Sequence, residues 1–159
     1  IEDVKYEKII NKNCHTKKVI LMIHGGGFKI ELNDFYRKLA EKYSNMFCGA
    51  TVINVDYGRF PEHQLPSQMY DVVKIYLHLL DEGINNSDII VIGDSAGATL
   101  AMTSSLWLRD NNYPLPGHIV CFSLWADATS SGDSKITNAY TDPFYGIAKH
   151  KKIEDNLHL

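Results

Sequence analysis

Four short runs of aliphatic and β-branched residues constrain this chain most: residues 18–24 (KVILMIH), 51–56 (TVINVD), 88–93 (DIIVIG) and 118–124 (HIVCFSL). Each is apolar almost without interruption. A strand that covers only one face of a core alternates apolar and polar residues. A strand apolar throughout is buried on both faces, as in a parallel sheet with helices on either side. All four runs are therefore expected to be buried strands, and residues 6–10 predict a further, outer strand.

Between these runs the apolar spacing lengthens to that of a helix. Over residues 33–47, Asn33 or Asp34 can cap a helix whose apolar face carries Phe35, Leu39, Tyr43 and Met46. Over 67–81 the stripe is Met69, Val72, Val73, Tyr76, Leu77 and Leu80, with Gly83 as the stop. A third helix follows Ser95 and runs to about residue 110. Its Ala96, Ala98, Leu100, Ala101, Met102, Leu106 and Trp107 make it apolar around much of its circumference, so it is expected to be deeply buried. Strands alternating with helices imply right-handed crossovers and a doubly wound, mostly parallel α/β sheet. From Asp127 onward the chain is polar and irregular, with a short helix expected near 145–152.

A length of 159 residues fits one domain with a real core. The formal net charge of −3 gives no reason to expect nucleic acid or an anionic membrane as partner. The apolar runs are too short to span a bilayer, so no integral membrane segment is expected. No signal-peptide pattern opens the chain, although it starts at Ile1 rather than Met, which leaves a trimmed start open. The cysteines are Cys14, Cys48 and Cys121. An odd number without a Cys-x-x-Cys pair points away from a disulfide framework or a zinc site. Cys48 and Cys121 are expected to be small core residues, in a chain whose default compartment is the cytoplasm. No metal or cofactor is implied, and nothing in the sequence sets the oligomeric state.

Two motifs carry chemistry. Gly93-Asp94-Ser95-Ala96-Gly97 follows the run at 88–92 and opens an apolar helix. A serine among glycines says little alone. Between a strand and a helix, however, the G-x-S-x-G pattern is a nucleophile elbow: a turn so tight that larger side chains at 93 and 97 would collide, with the serine presented outward. Ser95 would also sit at a helix N-terminus, where backbone N–H groups favour developing negative charge. The second motif, His24-Gly25-Gly26-Gly27-Phe28, directly follows the run at 18–23. Glycines let the backbone approach a substrate carbonyl. The amides of Gly26 and Gly27, with that of Ala96, are the expected oxyanion-hole donors.

These blocks resemble the hormone-sensitive lipase-like family of α/β-hydrolases, the α/β-hydrolase fold-3 group. The resemblance covers about residues 18–144. Beside the glycine loop and the elbow, two more blocks carry it. Tyr57, Pro61, Glu62, His63 and Pro66 match the family's Tyr-Arg-Leu-Ala-Pro-Glu-His-x-x-Pro segment. The stretch from Ser123 to Thr129, with Ser131, Gly132, Asp133 and Ser134, then Asn138, Ala139, Asp142 and Pro143, matches its post-strand segment. Departures are Gly58, Arg59 and Phe60 in the second block, Ala98 where a further glycine is usual, and Leu124 where proline usually precedes the tryptophan.

The resemblance implies an α/β-hydrolase fold and a serine carboxylesterase or lipase-like hydrolase with a small-molecule ester as substrate. Ser95 is the implied nucleophile. It also puts His24 in the oxyanion loop as an organiser of backbone, with Gly25, and Asp94 beside the serine as a scaffold contact rather than the triad acid. His63 with Glu62 is expected to steady a turn, and Asp127 is expected to be structural.

An activated serine needs a base and a group that orients it. The chain order in this fold is Ser, Asp or Glu, then His. After Ser95 the histidines are His118, at the start of a strand and at the opposite end of the sheet, and His150 and His158, in the polar tail. None has a suitable strand before it. Residues 1–159 are therefore expected to be the N-terminal part of a single α/β-hydrolase domain, with the C-terminal strands and helices, and the triad Asp and His, beyond Leu159. Such a fragment alone is expected to be inactive, and not a well-behaved soluble monomer, because the strand at 118–124 would become an open edge with Val120, Phe122 and Leu124 uncovered. The competing reading is a truncated, non-catalytic relative that binds a small molecule as a receptor.

Overall fold

The computed structural model describes residues 4–13, 15–129 and 131–143. By its internal contacts the chain divides into two units, Ile1–Trp125 and Ala126–Leu159. The first holds β1 (Lys5–Ile9), β2 (Val19–Ile23), α1 (Asp34–Met46), β3 (Thr51–Asp56), α2 (Ser67–Asp81), β4 (Ile89–Asp94), α3 (Ala96–Asp110) and β5 (His118–Phe122). The strands form one sheet in the order β1-β3-β2-β4-β5. β1 runs antiparallel to β3, and the other pairs are parallel.

The register explains the continuous apolar runs. Leu21 lies opposite Ile53 and Val91, and this set, with Ile23 and Val55, packs under α2 and α3 against Val72, Tyr76 and Leu100. The alternate residues Ile20, Met22, Val52, Ile90 and Ile92 pack on the other face with Tyr36 and Ala40 of α1. Helices cover both faces, so neither set of alternating side chains faces water. The sheet is doubly wound and mostly parallel, as the alternation of runs implied.

Helix ends follow local chemistry. Asn33 is the cap of α1, its side chain accepting from the Phe35 N–H at 3.0 Å. After α2, Gly83 adopts φ +83°, and the N–H groups of Gly83 and Ile84 close on the carbonyls of Leu80 and Leu79. No helix among the described residues is long and apolar enough to cross a membrane.

Several expectations need correction. The buried face of α1 is Tyr36, Ala40 and Ser44, while Phe35 is 66% and Met46 73% exposed. Small residues at 40 and 44 let the helix lie close on the sheet. On α2, Ile75, Leu79 and Gln68 are buried, and Met69, Leu77 and Leu80 only partly so, because this helix packs against both α3 and the sheet. Leu106, placed in the apolar surface of α3, is exposed. The open edge expected at 118–124, by contrast, is present: Ile119 and Phe122 of β5 are exposed and Val120 only partly covered, since β5 ends the sheet among the described residues. Cys48 is no core residue. It lies exposed after α1, in a turn at φ 54°. Cys121 is partly buried, and Cys14 lies outside the described residues.

The second unit contains α4 (Ser134–Thr137), which the sequence reading did not anticipate. Before it, Asp127 accepts from the hydroxyls and amides of Thr129 and Ser131, which hold its carboxyl well below the usual carboxylate range. This is a local turn-forming arrangement. The helix expected at 145–152, with His150 and His158, lies outside the described residues.

Candidate active site

The strand order reverses direction once. From β2 the chain crosses by α1 to β3 on one side; from β4 it crosses by α3 to β5 on the other. In open α/β sheets ligands bind at the carboxyl ends of the strands where this reversal occurs. Here the place lies between β2 and β4, whose last paired residues are Ile23 and Gly93. His24 to Gly27 leave one strand and Asp94 to Ala96 leave the other, so topology brings both motifs to the same crevice.

Ser95 stands between β4 and α3 at φ 52°, ψ −121°. A non-glycine residue held in so sparsely populated a region costs on the order of 1–3 kcal/mol and must be fixed by its surroundings. Two backbone hydrogen bonds hold it, and one of its partners is itself braced. The Ser95 N–H donates to the Phe122 carbonyl of β5 at 2.9 Å, and its own carbonyl accepts from the Thr99 N–H at 3.1 Å. Thr99 in turn donates its hydroxyl to the Trp125 carbonyl at 2.9 Å. The flanking glycines have no room for a side chain. A Cβ at Gly93 would strike the Gly97 carbonyl, and one at Gly97 would strike the carbonyls of Ile23 and His24. The tight turn is thus locked against β2.

The glycine loop is tied down at its first residue. The Gly25 N–H donates both to the Tyr36 hydroxyl at 2.9 Å and to Asp94 Oδ1 at 3.0 Å. Tyr36 donates its own proton to Asp94 Oδ2 at 3.0 Å. His24 Nδ1 lies 2.8 Å from the Gly25 carbonyl. That ring is 1% exposed, stacks on Tyr57 with centroids 4.3 Å apart, and has its carbonyl capped by the Tyr57 hydroxyl at 2.9 Å. Burial pushes the His24 pKa below its ordinary value of 6.5. The ring is therefore neutral near pH 7, with its proton on Nδ1 toward Gly25 and Nε2 buried without a partner among the described residues.

Beyond Gly25 the backbone turns left-handed: Gly26 at φ 109°, Gly27 at φ 62° and Phe28 at φ 63°. The Gly26 carbonyl accepts from the Lys29 and Ile30 amides, both at 3.1 Å. The Gly26 and Gly27 N–H groups donate to no described residue. Ala96 opens α3, so its N–H is one of the helix's unspent first-turn donors. Phe28 is buried and packs against Phe60 and Trp125.

The structure brings Ser95, Asp94, Gly93, Gly97 and Ala96 together with His24 and Gly25. Gly26 and Gly27 continue that same loop. Both Asp94 oxygens are occupied by Gly25 and Tyr36, a scaffold arrangement. His63 is exposed and its ring sits against Gly58, while its carbonyl accepts from Gln68. No described histidine hydrogen-bonds Ser95, and His118 starts β5 at the far end of the strand. Tyr36 was missed as a site residue. The only signal was its place on α1, where any tyrosine would read as core.

Comparison with known proteins agrees with this fold. The family profile described as alpha/beta hydrolase fold matches residues 20–156. An acetyl-hydrolase of Streptomyces hygroscopicus is 36% identical over 120 residues, covering 76% of this chain and 40% of that protein. The crystal structure of an esterase/lipase from an uncultured bacterium superimposes with TM-score 0.79 at 31% identity, covering 94% of this chain and 54% of that one. An esterase from the bacterial hormone-sensitive lipase family gives TM-score 0.77 at 29% identity, covering 96% and 55%. The chain spans less than half the length of the curated relatives it matches.

Proposed function

The chain belongs to the hormone-sensitive lipase-like family of α/β-hydrolases, and from that premise we propose that it carries the nucleophile and oxyanion loop of a serine carboxylesterase. Residues 1–159 are the N-terminal part of one hydrolase domain on this reading, and the triad Asp and His come from sequence beyond Leu159.

Ser95 Oγ attacks the carbonyl carbon of a carboxyl ester while a histidine accepts its proton. The carbonyl oxygen becomes an oxyanion, taken up by the amides of Gly26, Gly27 and Ala96 at the N-terminus of α3. Collapse expels the alcohol, which regains a proton from the same histidine, and leaves an acyl group on Ser95. Water, activated by that histidine, then releases the acid.

One observation carries this reading. Ser95 is held in a strained left-handed turn while the adjoining loop keeps two amides that donate to no described residue. Strain so over-determined by its surroundings is expected of a functional group. The relatives' names, acetyl-hydrolase and esterase, support ester hydrolysis as the reaction class.

The test is turnover of a short p-nitrophenyl ester by the full-length protein and by Ser95→Ala. Loss of a triad serine lowers kcat by about 10⁶ in the best-measured case. We expect a loss of that order here. A parent protein that binds the ester but does not turn it over would favour a receptor instead.

A further inference from the structure

Gly25 is gripped from both sides. Its carbonyl is held by His24 and its N–H by Tyr36 and Asp94. Because a trans peptide is planar, a carbonyl fixed toward His24 turns the Gly26 N–H of the same peptide the opposite way. Holding the Gly25 N–H fixes the preceding peptide as well. The two planes that lead into the left-handed glycines are therefore set by side chains.

We propose that Tyr36 is a positioning residue, whose hydroxyl braces the glycine loop against the Ser95 turn by bonding Gly25 and Asp94 together. This rests on the esterase reading. Tyr36 belongs to neither loop. It reaches both from α1, where it is 8% exposed. The loop and turn already touch, since a Cβ at Gly25 would run into Asp94. Burial, with the charge of Asp94 as a second cause, pushes the Tyr36 pKa up to about 12, so the phenol keeps the proton it donates. Phenylalanine would fill the same space but leave Asp94 Oδ2 without its donor. Beyond Gly25, glycines at positive φ have wide freedom. The Lys29 and Ile30 amides on the Gly26 carbonyl set the plane of the Gly27 amide, which leaves the Gly26 amide to depend on the grip on Gly25.

An oxyanion exists only after the attack, so a slackened brace should weaken the transition state and not substrate binding. The experiment compares the full-length protein with Tyr36→Phe, Asp94→Asn, the double variant, and Tyr43→Phe on the same helix as control. Tyr36→Phe should lower kcat about tenfold to a hundredfold, up to the cost of a small misplacement of catalytic groups, with KM unchanged. A boronic acid inhibitor should lose affinity by the same factor. The Tyr36→Phe loss should shrink in the Asp94→Asn background, because both substitutions act through one bonded set. Tyr43→Phe should keep the parent's kcat. Tyr36→Phe with unaltered kcat, or Asp94→Asn at parent rate should Tyr36→Phe not fold, would overturn the brace alone. A parent without Ser95-dependent turnover would overturn the esterase reading and the brace with it.

Discussion

Ser95 at φ 52° is held in place by its neighbours, and Gly97 shows how little slack they leave. Gly97 is the second residue of α3, where helix propensity alone would favour alanine by about 1 kcal/mol. Packing says the opposite, because the added methyl would meet the Ile23 and His24 carbonyls. Backbone carbonyls cannot rotate aside like a flexible side chain. Overpacking of this kind costs about 1–3 kcal/mol, so the steric term should win. Gly97→Ala is expected to lower the midpoint of thermal unfolding, and a raised midpoint would show that the turn has room. This glycine was legible from the pattern around Ser95, since the tight turn demands it. Tyr36 was not legible, because its role depends on a hydroxyl meeting a loop distant in sequence.

The strands were legible because burial on both faces leaves a one-dimensional signature. Ile20 and Leu21 pack on opposite sides of the sheet and are both fully buried. Helix faces were harder. A reading that ranks residues by hydrophobicity picks Phe35 and Met46, whereas contact with the sheet selected Ala40 and Ser44, which are small. The run at 118–124 reads as a strand made to be covered on both faces, which is why an open edge is expected where later strands are missing, and β5 is paired on one side only among the described residues. Ile119 and Phe122 remain 38% and 49% exposed on it. An open edge with apolar side chains recruits other strands. The 159-residue polypeptide by itself is therefore expected to self-associate, and Ile119→Lys to reduce that association, as read by size-exclusion chromatography with light scattering. A polypeptide that is monomeric without the lysine would contradict this account of β5.

Across the whole molecule, the sheet brings two loops far apart in sequence to one crevice. Gly25 and Asp94 bond across 69 positions because β2 and β4 are neighbours. That convergence followed from the alternation of runs and from the two glycine motifs. The base and acid that would complete the chemistry could not be assigned, since no described histidine meets Ser95 and the chain spans less than half of its curated relatives. The central claim is that Ser95 is the acylated residue. The most direct test is to treat the full-length protein with a fluorophosphonate probe and map the adduct by peptide mass spectrometry. The account predicts a single adduct on the peptide that contains Ser95, lost in Ser95→Ala together with ester turnover. An adduct on another residue, with Ser95→Ala hydrolysing esters at the parent rate, would contradict it.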